Sequence, residues 1–169
     1  MSAPYTLLIA TLLVLAMSQP AFAVRPISAL NPVPANRFYT LLSCRALDTR
    51  DLLGPTGGQP LVGGVTRTFA LAGRCRIPRV ASAISANVTV VGPTLAGNLS
   101  AYAADIPAPA TSVLNFNAGQ VRGNNVLLSV AQDLAATLAV RPDMAGGTVH
   151  LILDVNGYYA PTGNWPPVE

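Results

Sequence analysis

The sequence has no lysine, a single histidine (His150), two cysteines (Cys44 and Cys75), and charges on only 10% of its 169 residues. Each scarcity closes off a kind of chemistry. One imidazole and two thiols are too few for a structural zinc centre, which takes four Cys and His ligands. All ten basic residues are arginine, scattered from Arg25 to Arg141, and the net charge is +3. A nucleic-acid binder would carry a basic stripe interleaved with aromatics, and aromatics make up 6% of this chain. Neither a cofactor nor a nucleic-acid partner is expected.

Catalysis needs an acid, a base or a nucleophile with an orienting partner. Asp48, Asp51, Asp154 and His150 are the available groups, with Ser129 as a conceivable nucleophile beside His150 and Asp154. Asp48 with Asp154 is a conceivable carboxylate pair for glycoside hydrolysis. Nothing in the spacing forces either set together, so they read as solvated strand residues, and no enzymatic activity is expected. The segment Asp154-Val155-Asn156-Gly157 lacks the further acidic ligands of a calcium loop. The densest charge, RALDTRD over 45–51, reads as Asp48 and Arg50 pinning the exit of a strand through charge-assisted hydrogen bonds.

Long apolar runs are also missing, with one exception. Residues 7–17, LLIATLLVLAM, are apolar but cover about half of the ~20 residues that span a bilayer. Pro20 and then Ala21-Phe22-Ala23 follow, the small-x-small pattern of a signal-peptidase site, so residues 1–23 read as a cleaved secretory signal. The leading MSAPYT supplies no Arg or Lys, which leaves an uncleaved anchor as the alternative. After cleavage no membrane segment is expected, and the protein is expected to be secreted, extracellular or at the cell surface. In that oxidising setting the even pair Cys44 and Cys75 predicts a disulfide.

The mature chain opens with VRPISALNPVPAN (24–36), whose three prolines forbid a helix and favour extended or polyproline-like backbone. Beyond it, short apolar runs alternate with Gly, Pro and Asn clusters. Over 148–158, Val149, Leu151, Leu153 and Val155 alternate with polar residues, and over 83–91 Ile84, Ala86, Val88 and Val90 do the same. Further strands are predicted over 37–47, 65–71, 98–103, 112–117, 125–130 and 135–140, about eight in all. A short helix over 130–140, with Leu134 and Leu138 four apart, is the alternative there. The turn DMAGG (143–147) predicts an antiparallel hairpin between 135–140 and 148–158. Without helices to carry parallel crossovers, the fold class is all-β: an antiparallel two-sheet sandwich over 37–160, with an irregular tail over 161–169.

Taken together, RFYTLLSCRALDTR (37–50), GRCRIP (73–78), NVTVVGPTLAGNLSAY (87–102), LNFNAGQVRGNN (114–125) and TVHLILDVNGYYAP (148–161) give a resemblance. The chain resembles a secreted bacterial β-sandwich module, found alone or within larger cell-surface proteins. The resemblance implies an immunoglobulin-like sandwich and an extracellular bacterial location, and it carries over no catalytic residues. Two ways of acting by contact follow. One is a self-associating structural subunit, a homo-oligomer or filament in which Ile27, Leu30 and Val33 of the arm anchor on a neighbour. The other is an extracellular glycan-binding or adhesion module stacking sugars on Tyr102, Tyr158, Tyr159 and Trp165. The export reading is checked directly: N-terminal sequencing of protein recovered from the medium should begin at Val24, and a chain beginning at Met1 contradicts it.

Overall fold

Period-two alternation becomes strand wherever one face can be buried. The computed structural model describes residues 35–51, 54 and 56–163, all within one of the two units into which the chain divides, Val33–Glu169. The strands are β1 (Asn36–Asp48), β2 (Leu61–Val62), β3 (Arg67–Ala70), β4 (Ala83–Val91), β5 (Gly97–Ala103), β6 (Leu114–Phe116), β7 (Val121–Ser129), β8 (Thr137–Met144) and β9 (Thr148–Pro161). They form two antiparallel sheets, one ordered β1-β9-β4-β7 with β2 also on β9, the other β3-β8-β5-β6. The two-sheet sandwich predicted from the sequence is therefore the fold, with nine strands where about eight were expected.

The alternating residues do what their pattern demands. Ile84, Ala86, Val88 and Val90 of β4 and Val149, Leu151, Leu153 and Val155 of β9 are all buried in the core. Leu99, Leu114, Phe116, Leu138 and Val140 from the second sheet meet them. At about 1.5 to 3 kcal/mol for each fully buried large aliphatic or aromatic side chain, this inter-sheet layer is the main stabilising term.

Two expectations need correction and one alternative is ruled out. The hairpin between β8 and β9 does not form: β8 lies between β3 and β5, and β9 between β4 and the pair β1 and β2. Both strands are central in their sheets and paired on two edges, and both are covered on two faces along part of their length, since Leu138, Ala139 and Val140 are buried in succession, as are Leu151, Ile152 and Leu153. The turn between them, with Gly147 at φ 75, carries the chain from one sheet to the other. Nor is 130–140 helical. Leu134 and Ala136 have φ of 63 and 48, and Asp133 Oδ1 accepts hydrogen bonds from the Ala135 and Thr137 amides at 2.9 and 3.3 Å. Finally, β8 runs through Pro142 to Met144, beyond its predicted end. β3 stops opposite Val140, so the missing proline N–H deprives no neighbouring strand of a donor.

Two irregularities set the geometry of the β1 edge. Between Thr40 and Cys44, β1 advances four residues while β9 advances two, from Gly157 to Val155, and Leu42 on this bulge is 94% exposed. Opposite β4, Asn156 is an extra residue in β9, since Ala86 pairs with Val155 and Ser85 with Gly157. That bulge reverses the alternation beyond it, bringing Tyr158 to the core side opposite buried Ile84 and leaving Tyr159 outward opposite Ala83. Cys44 is disulfide-bonded to Cys75, with Cα atoms 5.7 Å apart. A cross-link spanning 31 residues stabilises by roughly 3 to 4 kcal/mol through loop-closure entropy.

Gly157 is required by contact. A Cβ there would overlap the Phe38 ring and lie 2.9 Å from the Tyr39 carbonyl oxygen. Gly157→Ala should therefore destabilise the fold by about 1 to 3 kcal/mol, read as a lower urea midpoint with an unchanged slope. An unchanged midpoint would contradict the packing described.

Candidate assembly edges

The five-stranded sheet ends in two unlike edges. At one, β1 lays Phe38 against Tyr159, ring centroids 5.1 Å apart and tilted by 46°, and stacks Tyr39 on Tyr158 at 5.2 Å and 18°. These are directly opposed cross-strand pairs, the units that stabilise a sheet. Burial raises the Tyr158 hydroxyl's pKa, with the neighbouring Tyr39 adding to the effect. This edge is broken by two register shifts and pinned by the disulfide, which are protections that natural edge strands carry.

The opposite edge has none of these. β7 pairs with β4 residue for residue, from Ser129 opposite Ala83 to Val121 opposite Val91, with no register shift. Among the described residues no strand pairs with its other side. It contains no proline and one charge, Arg122. Seven of its nine residues are exposed, including Val121 at 72% and Leu127 at 61%. Arg122 and Asn124 oppose the buried Val90 and Val88, so they sit on the core side of the sheet, yet both are exposed. The sheets part there because β6, the edge of the second sheet, is only three residues long. A cleft of about 210 Å³ results, lined by Ser112 to Asn115 and Arg122 to Asn124. Asn124 Nδ2 donates to the Val113 carbonyl at 2.8 Å across it. Sequence reading began this strand at Asn125, because VRGN (121–124) shows no apolar alternation; what could have found it is the run of β-compatible residues on both sides of Gly123.

Two of the acids that a catalytic reading would use, Asp48 and Asp154, are engaged by arginines. Asp48, 4% exposed, accepts the Arg50 amide at 3.0 Å and Arg50 Nε and Nη2 at 2.9 and 2.7 Å. Arg45 Nη1 reaches the same carboxylate at 3.2 Å, while its Nε and Nη2 donate to Asp154 at 2.9 and 3.2 Å. The expected pin at the end of β1 is present, and it extends to β9. His150 does not meet Asp154: its Nδ1 lies 3.1 Å from Thr49 Oγ1, which accepts the Leu151 amide at 2.8 Å. Ser129 is opposite Ala83 and His150 opposite Val91, eight residues apart along β4, or roughly 26 Å. Among the described residues no three His, Cys, Asp or Glu cluster as metal ligands, and no helix is long and apolar enough to cross a membrane.

The aromatic residues considered for glycan stacking do not share a surface. Tyr158 and Tyr159 are on opposite faces of β9, and Tyr102 is 9% exposed with its hydroxyl 3.4 Å from Thr66 Oγ1. Trp165 and the arm residues Ile27, Leu30 and Val33 lie outside the described residues.

The Arg50 hydrogen bonds hold the Asp48 carboxyl at about 2, below its ordinary 3.8. A lowered folded-state pKa stabilises the fold above pH 4, and that contribution is lost as pH falls through 2. Urea unfolding should lose about 2 kcal/mol across that window from this group, and Asp48→Asn should give a flatter pH profile. An equal profile in both proteins would assign the acid sensitivity elsewhere.

No family model matches the chain, and no curated protein matches it. Among solved structures, the coat protein dimer of Tobacco streak virus is similar over 82% of this chain and 94% of that one, at 14% identity and a TM-score of 0.39. A C2 crystal form of Tobacco streak virus coat protein covers 83% of this chain and 96% of that one, at 12% identity and the same TM-score of 0.39. Likeness at these values establishes neither a shared family nor a shared function.

Proposed function

We propose that the mature chain is a secreted, non-enzymatic structural subunit of a bacterial extracellular filament or surface layer. In this reading the arm over 24–36 of one copy adds as a strand to β7 of the next. The observation that carries it is β7 itself: nine residues in unbroken register, paired on one side only among the described residues and almost free of charge. An exposed strand edge is a template for main-chain pairing, and proteins that must remain monomeric blunt it with Lys, Pro or bulges. Only Arg122 serves that purpose here.

The arm is attached to the right place to use that edge. It leads into β1, at the far side of the sheet from β7, so donor and acceptor lie on opposite edges. Contacts between unlike surfaces repeat head to tail, giving rings where the rotation closes and open fibres where it does not. Asn36 is already paired with Pro161 in β1; the twelve residues before it, if extended, reach roughly 40 Å, more than the roughly 14 Å of three inter-strand spacings between β1 and β7. Ile27, Leu30 and Val33 would anchor the added strand.

Size-exclusion chromatography and negative-stain microscopy of the mature chain test this. The wild-type protein should form extended polymers at high concentration. Leu127→Lys, at an exposed β7 position, should raise the concentration needed by at least tenfold, and deletion of 24–34 should do likewise. Neither change should move the melting temperature by more than the small shift expected of surface residues. A wild-type monomer at every concentration, or polymers indifferent to both changes, would refute the proposal.

A further inference from the structure

The ten arginines are spread along the chain, yet two of them share a single turn and a third follows it closely. Arg74, Cys75 and Arg76 form a 3₁₀ turn, and Arg79 follows after buried Ile77 and Pro78. Arg76 and Arg79 are exposed, and Arg74 is half-exposed with its Nε donating to the Ala70 carbonyl at 3.1 Å. Arg45, Arg50 and Arg141 are the arginines in ion pairs among the described residues. No carboxylate there lies within ion-pair distance of Arg74, Arg76 or Arg79.

The turn that presents them is fixed in an unfavourable backbone conformation. Cys75 and Arg76 have φ of 50 and 62, the left-handed region that costs any residue with a Cβ. It is held by the disulfide to Cys44, by the Gly73 amide on the Ile77 carbonyl at 2.9 Å and by the Ile77 amide on the Arg74 carbonyl at 2.8 Å. Strain that the surroundings over-determine is a mark of functional positions. Arg37 lies at the same end of the sheet: it pairs with Ala160, next to Tyr159, whose carbonyl accepts the Ser82 amide at 2.8 Å three residues beyond Arg79.

We infer that this arginine turn binds an anionic polysaccharide, its guanidinium groups meeting the repeated carboxylates or sulfates of the chain. Uncompensated guanidinium groups on a rigid turn give bidentate acceptor recognition with little side-chain ordering. A lipid surface is a poorer fit, since the apolar residues of the turn, Ile77 and Pro78, are buried and cannot insert. This inference is independent of strand addition at β7, because the turn adjoins β1.

Binding of the mature chain to polygalacturonate, measured by titration in about 50 mM salt and again near 200 mM, tests it. Wild-type binding should weaken steeply with salt, as release of counterions requires. R76A/R79A should bind at least tenfold more weakly with a shallower salt slope, and R76K/R79K should keep the wild-type salt slope but still bind several-fold more weakly, since an ammonium cannot make the bidentate contact. R141A, which removes a part-exposed arginine paired with Asp143 on β8, should change affinity by less than twofold. Absence of wild-type binding, an equal loss in R141A, or tighter binding to phosphatidylglycerol vesicles or single-stranded DNA would overturn the assignment.

Discussion

β9 gives up both of its edges, to β1 and β2 on one side and to β4 on the other, and its core face to the second sheet. A central strand paired on both sides cannot slip, because a shift by one residue would turn Val149, Leu151, Leu153 and Val155 outward together. β1 takes its register from β9, and the disulfide then ties the turn at Arg74 to β1. β4 takes its register from β9 as well, and β7 from β4. Both candidate surfaces, the arginine turn and the β7 edge, are positioned through this one strand.

The stabilising devices are unevenly distributed around that strand. On the β1 side stand two aromatic cross-strand pairs, the cystine, and a carboxylate held by two arginines. Asp48 is a buried charge, and such a group is tolerable only when its lone pairs are filled; Arg45 and Arg50 fill them, which fixes where β1 ends and holds the carboxyl ionised. On the β7 side, Leu128 is the single fully buried residue of the strand and Asn124 supplies the side-chain tie to the second sheet. Local opening free energies follow buried contacts, so β7 is the part of the sheet best able to exchange neighbours.

The sequence told most where physics demands alternation. β4 and β9 were legible because each has one face against the core, and the pin at Asp48 because its partners are within three residues. The first half of β7 was not, since an edge strand over an open cleft has no face that must be apolar. The pairing of β8 was hidden for the opposite reason: a strand buried on both faces has no period to read, and a turn of DMAGG composition serves a hairpin or a crossing between sheets equally well. Tyr158 and Tyr159 are adjacent, so a strand separates them onto two faces, but which one turns inward depended on the extra residue Asn156.

Where affinity would lie in the proposed strand addition follows from magnitudes. Each main-chain hydrogen bond contributes about 0.5 to 1.5 kcal/mol net, while ordering a residue costs about 1 to 2 kcal/mol. A ladder between the arm and β7 is therefore close to neutral by itself. Pro26, Pro32 and Pro34 reduce the entropy the arm has left to lose, but each also removes a donor from the ladder, which moves the balance further from the backbone and onto side chains. Three anchors at about 1.5 to 3 kcal/mol each supply what the ladder cannot. An arm of this composition would bind through Ile27, Leu30 and Val33, with the β7 backbone serving mainly to set its direction and register.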